Sequence, residues 1–106
     1  MAYYLVTGSP RQELLEELQS KLAGNEFVAL RPFGHALSLA LRRARLLPDG
    51  RATWEEEDYC RPPLAEERAA VLNRYFDDLK VEPVVQGTGW ALIELLPPLF
   101  PGLTRR

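Results

Sequence analysis

His35-Ala36-Leu37-Ser38-Leu39-Ala40-Leu41-Arg42-Arg43-Ala44-Arg45-Leu46-Leu47-Pro48-Asp49-Gly50-Arg51-Ala52-Thr53-Trp54-Glu55-Glu56-Glu57-Asp58 is the stretch that decides how many strands the chain has. Its first half is rich in Ala, Leu and Arg, all good helix formers, and Leu37, Ala40, Leu41, Ala44 and Leu47 would share one helical face. Leu37, Leu39 and Leu41 also alternate as a strand does, and Leu47-Pro48-Asp49-Gly50 carries proline and glycine where a hairpin turn wants them. Pairing across the turn favours the hairpin. With Pro48-Asp49-Gly50 as a three-residue loop and Gly50 left-handed, Arg43 faces Glu55, Arg42 faces Glu56 and Ala44 faces Trp54. Opposite charges across a ladder contribute roughly 0.2–1 kcal/mol per pair, whereas a helix leaves Glu55 to Asp58 without partners. The expectation is a hairpin with 36–47 as its first strand.

Downstream, Tyr59-Cys60-Arg61 connects to a helix over Pro62 to Leu79, in which Ala65, Ala69, Leu72, Phe76 and Leu79 repeat at helical spacing. Glu66 and Glu67 suit the positive end of its dipole, while Asp77 and Asp78 stand at the wrong end. Val81 to Gln86 and Trp90 to Leu96 flank Gly87-Thr88-Gly89 and read as a second hairpin. Its register gives one apolar face and another that carries Glu82, Val84, Gln86, Trp90, Leu92 and Glu94. Pro83 lacks an amide donor, which places its strand at a sheet edge. The segment 97–106 begins as an apolar, proline-rich tail, Pro97-Pro98-Leu99-Phe100-Pro101.

Upstream, Tyr3 to Thr7 is a β-prone run broken at Gly8. A helix over 10–23 follows, with Ser9 as cap, Pro10 at the first position and Gln12 as the reciprocal capping partner. Leu14, Leu15, Leu18 and Leu22 form its apolar stripe, Glu17 and Lys21 an i, i+4 pair, and Gly24 its stop. Phe27 to Leu30 reads as a second strand. The order β-α-β-β-β-α-β-β implies an α+β two-layer sandwich. Its mainly antiparallel sheet would have about five or six strands with two helices on one face, ferredoxin-like in spirit. Residues 1–106 are read as a single domain, a size that supports one core.

Hydrophobic residues make up 46% of the chain and charged residues 26%, which is globular composition, and a net charge of −2 creates no field for nucleic acid or anionic membranes. Arginine outnumbers lysine 11 to 2, but Arg42, Arg43, Arg45 and Arg51 fall on different strand faces beside an acidic strand, so nucleic-acid binding is not expected. Cys60 stands alone, the N-terminal residues lack the pattern of a signal peptide, and no apolar run approaches the roughly 18 residues of a membrane span. Cytoplasmic residence is expected.

Thr7-Gly8-Ser9-Pro10-Arg11, a glycine loop opening a helix, offers amides, hydroxyls and a dipole end to an anion. From Leu5 to Leu18 it also resembles the opening of the Maf-type nucleotide pyrophosphatases, whose strand-loop-helix carries a Ser-Pro-Arg motif and paired leucines. Gln12 stands where that motif has a second arginine, the family's later acidic and basic motifs have no counterpart, and the chain is much shorter. His35 and Cys60 are the only residues of their types; Cys60 precedes a helix and neighbours Arg61, as an activated nucleophile would, but a free cysteine is usually a small buried hydrophobe and a lone histidine in a turn usually just hydrogen-bonds, so a catalytic pair is not expected. Glu55 to Asp58 and Asp77-Asp78 lack metal-ligand spacing and read as solvated charge runs. No catalytic residue, metal or cofactor is expected.

The outer face of the second hairpin is the more informative surface. Trp90, Val84 and Leu92 form an apolar patch there, with Glu82 opposed to Glu94, and something should cover it: the tail, with Leu99 and Phe100 folding back, a second subunit, or a small ligand. The sequence thus favours a non-enzymatic association domain that homodimerises through Glu82, Val84, Trp90, Leu92, Glu94 and Phe100. The alternative is a phosphate- or nucleotide-binding enzyme or sensor using Thr7, Gly8, Ser9 and Arg11.

Overall fold

The computed structural model describes residues 2–104, so the last two residues of the tail read above lie outside the described residues. Four strands form one antiparallel sheet in the order β2-β3-β1-β4: β1 is Ala2–Pro10, β2 Arg45–Leu46, β3 Ala52–Asp58 and β4 Phe76–Val84. Five helices accompany it. They are α1 (Leu15–Ala23), entered through a 3-10 turn at Gln12–Leu14, α2 (Gly34–Arg42), α3 (residues 65–75), α4 (Thr88–Ile93) and α5 (Pro101–Thr104). The chain is therefore an α+β domain, with four strands among the described residues rather than five or six.

The core lies between the sheet and the first three helices. On β1, Val6 sits opposite Trp54 of β3 and Val81 of β4. Val6 and Trp54 are fully buried with Leu18 and Leu22 of α1, Leu37 and Leu41 of α2 and Leu72 of α3. Trp54 packs on Phe76 with ring centroids 5.1 Å apart.

The first strand does not break at Gly8. β1 runs on to Pro10 across a bulge, where Thr7 faces Lys80 but Ser9 faces Asp77. A Cβ on Gly8 would lie 2.8 Å from Leu79 Cδ2 and 3.2 Å from Phe76 Cβ, so a larger residue at the bulge would displace the Leu79 side chain. Ser9 and Pro10 are consequently strand residues, and the expected capping box does not form: Arg11 precedes the 3-10 turn with no side-chain cap. At the far end of α1 the left-handed residue is Asn25, at φ 56°, rather than Gly24. Glu26 N donates to Lys21 O and Asn25 N to Leu22 O, a Schellman motif with Asn25 in the role usually taken by glycine.

Phe27 to Leu30 is a chain of turns instead of a strand. Val28 N donates to Asn25 O, Leu30 N to Phe27 O and Gly34 N to Leu30 O, so the backbone is satisfied locally. The segment lies tightly over the start of α2, where any Cβ on Gly34 would collide with the Phe27 carbonyl oxygen.

The stretch 35–47 folds mostly as helix, and the expected long hairpin contracts. α2 buries Leu37, Ala40 and Leu41, and Ala44 beyond it is also buried. Burial of Leu-sized side chains is worth about 1.5–3 kcal/mol each, which outweighs the cross-strand ion pairs that favoured a strand. The expected register survives in β2, where Arg45 faces Thr53 and Leu46 faces Ala52 around a turn with Gly50 at φ 93°. Arg42 and Arg43 are withdrawn from Glu56 and Glu55: Arg42 donates to Leu22 O at 2.7 Å, and Arg43 lies over the Trp90 ring, 4.2 Å from its centroid.

α3 comprises an α turn at Ala65–Glu67, a π segment at Arg68–Leu72 and an α turn at Asn73–Tyr75. The π segment shifts the buried face, so that Val71, Leu72 and Tyr75 are buried while Ala69 is exposed. The helix ends at Tyr75, because Phe76 is extended and opens β4. Asp77 and Asp78 thereby leave the unfavourable dipole end that the longer helix gave them.

The second hairpin is absent. Val81 to Val84 pairs with β1, and Trp90 to Ile93 lies in α4. β4 is an edge strand, as Pro83 suggested. The tail returns along the other edge: Leu46 N donates to Pro97 O, Leu99 N to Ala44 O, Pro98 bridges Arg45, and Phe100 is buried in the core.

Candidate acid-thiol pocket

Side chains alternate along β3, so Trp54, Glu56 and Asp58 leave the core side while Glu55 and Glu57 leave the other. The run of four acids is therefore split between two environments, and Glu55, Glu56 and Asp58 are each 4% exposed or less. Glu67, on the first turn of α3, is buried too.

Glu55 has a structural task. Its carboxylate accepts from Gly87 N at 2.8 Å, Gly89 N at 2.8 Å and Trp90 N at 3.1 Å, which satisfies the amides that begin α4. Gly87 takes φ 85°, and a Cβ on Gly89 would meet the Glu55 side chain at 2.8 Å.

Glu56, Asp58 and Glu67 form a separate acidic group. Asp58 Oδ2 accepts from Leu64 N at 2.6 Å and Cys60 N at 3.0 Å, which folds the connector back over the strand end and sets Leu64 left-handed at φ 62°. Burial raises the Asp58 pKa, but the Leu64 amide, the Glu67 carboxyl and the Cys60 and Tyr59 amides together hold it below its ordinary value. Glu67 is pushed up to about 7, first by burial and then by its hydrogen bond to Asp58, so its carboxyl is the proton donor of that pair. Glu56 is pushed up to about 8 by burial, against the Trp54 indole N–H donated to its Oε1 at 2.9 Å, and the Glu67 and Asp58 charges add to the rise. Its Oε2 is buried with no hydrogen-bond partner among the described residues.

The Cys60 thiol donates to Glu67 Oε1 at 3.9 Å. An amide at Glu66 favours its thiolate, yet burial and the Asp58 and Glu67 carboxylates leave the thiol pKa raised. That is the wrong direction for a nucleophile.

Asp58, Cys60 and Glu67, though not Glu56, border a cavity of about 360 Å³, with Pro32, Phe33 and Ala36 as an apolar wall and His35, Glu57, Tyr59 and Glu66 completing its polar lining. The fold thus brings His35 and Cys60 into one pocket, where acids rather than a base dominate the thiol. None of the four ion pairs found among the described residues includes Glu56, Asp58 or Glu67. The arrangement can hold a proton near neutral pH or a positively charged ligand.

The residues singled out from sequence lie elsewhere. Thr7, Gly8 and Ser9 are paired within β1 and form no open loop. Arg11 binds Asp77 at 2.9 Å and donates to Arg74 O at 3.0 Å. Glu82 faces Leu5 and Val84 faces Tyr3 on β4, Trp90 and Leu92 belong to α4, Glu94 follows it, and Phe100 is in the core, so the six do not share a hairpin face. Glu56 and Asp58 were hidden in what looked like solvated charge and Glu67 in a helix-dipole role; for the first two, the period-two split of acids on a strand beginning Ala-Thr-Trp was the available signal.

Among the described residues no helix is long and apolar enough to cross a membrane. Compared with known proteins, the chain matches no family model, no curated protein and no solved structure, which leaves the pocket itself as the guide to function.

Proposed function

We propose that the chain is a binding domain whose site is the acid-thiol pocket and whose ligand is a small cation. One observation carries this: the buried Asp58 and Glu67 carboxyls and the Cys60 thiol converge at the wall of a cavity, and no ion pair among the described residues joins a basic side chain to them. The buried Asp58 carboxylate has amide and carboxyl donors but no opposite charge paired with it among the described residues, and a cation entering from the cavity supplies one. The test is a thermal-shift panel of alkylammonium, guanidinium and divalent metal ions against wild type and Glu67→Gln. A ligand at about 100 times its Kd stabilises by about 2.7 kcal/mol, a rise of several degrees or more in Tm. At least one cation should raise the wild-type Tm and leave Glu67→Gln unmoved; equal shifts in both, or none in either, would defeat the proposal.

The strand order, with helices in both crossovers, supports a ferredoxin-like β-α-β-β-α-β reading, which carries no function by itself. A second functional reading, self-association through the segment after β4, is favoured by the exposure of Val85, Leu92 and Leu95 at 74, 73 and 94%. Sedimentation velocity should then show a dimer that Leu92→Lys with Leu95→Lys dissociates, and a wild-type monomer at high concentration would remove it.

A further inference from the structure

We propose that Asp58, Cys60 and Glu67 are the ligands of a divalent transition-metal site of the zinc class. This names the cation and rests on the cation-binding reading above. One ligand atom from each of the three residues lies within 4.8 Å of the other two. Zinc bonds of about 2.3 Å to sulfur and about 2.0–2.2 Å to oxygen set tetrahedral ligands roughly 3.5 Å apart, so a contraction of about an ångström closes the set. The donors also choose the ion. A thiolate beside carboxylates suits zinc or cobalt, whereas magnesium and calcium take oxygen alone.

Two further observations point the same way. Glu56 projects from the same side of β3 as Asp58 and keeps its fully enclosed Oε2 without a hydrogen-bond partner among the described residues. An unsatisfied acceptor there is costly unless positive charge is nearby. Asp58, for its part, is already oriented by the Cys60 and Leu64 amides, the kind of outer support that metal-binding carboxylates receive. Three protein ligands leave a fourth position toward the cavity, whose lining includes the only histidine of the chain.

The test uses the whole chain, reduced and stripped of metal, titrated with Zn²⁺ by calorimetry and with Co²⁺ by absorption. One equivalent of Zn²⁺ should bind, and Co²⁺ should give a thiolate charge-transfer band. Cys60→Ser should abolish the band and weaken Zn²⁺ at least about 100-fold, beyond the usual loss of an outer-shell partner. Because Cys60 is only partly buried, its variant should keep the metal-free Tm, and Glu67→Gln supplies an independent second loss. Absence of Zn²⁺ uptake, uptake unaltered in Cys60→Ser, or equal competition by Mg²⁺ would each overturn the site. If Zn²⁺ fails while an organic cation still stabilises wild type but not Glu67→Gln, the metal inference falls and the cation-binding reading stands. If nothing binds, both fall.

Discussion

The Glu17 carboxylate receives the Arg74 guanidinium through bonds of 2.8 and 2.9 Å and also accepts from the Tyr75 hydroxyl, tying α1 to the end of α3. Those bonds, that from Arg74 foremost, hold its pKa down at about 2. A folded-state value below the ordinary 4.5 means that their stabilisation is complete above about pH 4.5 and is lost as pH falls toward 2. Glu17→Gln should therefore lower the urea midpoint near neutral pH, with the gap to wild type closing as the pH is taken down to about 2. A gap that stays constant across that range would contradict the assignment. This tie was invisible in the sequence, where Glu17 pairs most naturally with Lys21; Lys21 instead reaches Glu26 at 3.4 Å. The buried acids of β3 were missed for a related reason. Glu55 and Glu56 were matched to Arg43 and Arg42 through a weak pairing term, and the helix that claimed those arginines left the acids to be explained by burial.

Elements declare themselves in this chain when their apolar face is local and conceal themselves when their support is remote. The leucine stripe of α1 and the Pro48-Asp49-Gly50 turn were both legible, down to the register of β2 against β3. α4 was not, because its N-terminal amides are satisfied by Glu55, more than thirty residues earlier, and Gly87-Thr88-Gly89 taken alone is ordinary turn chemistry. Charge-assisted hydrogen bonds of this kind contribute about 1.5–3 kcal/mol net. Glu55→Ala should accordingly destabilise the protein by about 2–3 kcal/mol and release α4, seen as a red shift in emission from Trp90 while Trp54 stays buried. Retained stability with an unshifted spectrum would mean that α4 is held chiefly by its own packing. The early end of α3 had a readable clue in Asp77 and Asp78, whose misfit with a helix dipole vanishes once they are strand residues.

At the scale of the molecule, composition and the alternation of helix and strand signals were enough to establish an α+β domain with an antiparallel sheet. The number and order of strands were not available, because β1 chooses partners at 52–58 and 76–84 through contacts that no local pattern encodes. The tail shows the same limit. Its apolar character called for a covered destination, but only the assembled fold supplies one, with Phe100 entering the core beside the helices.

That return of the tail leaves the two outer margins of the sheet alike in one respect. Pro98 lies along β2 and Pro83 lies within β4, and neither has an amide to offer a newcomer. Growth of the sheet by successive copies is thus discouraged from both sides, and β4 is further bent by its bulge at Asp78. Any assembly this chain enters is steered away from endless strand-to-strand stacking and toward closed contacts between side chains, which is the difference between a protein that can be concentrated and one that forms fibres.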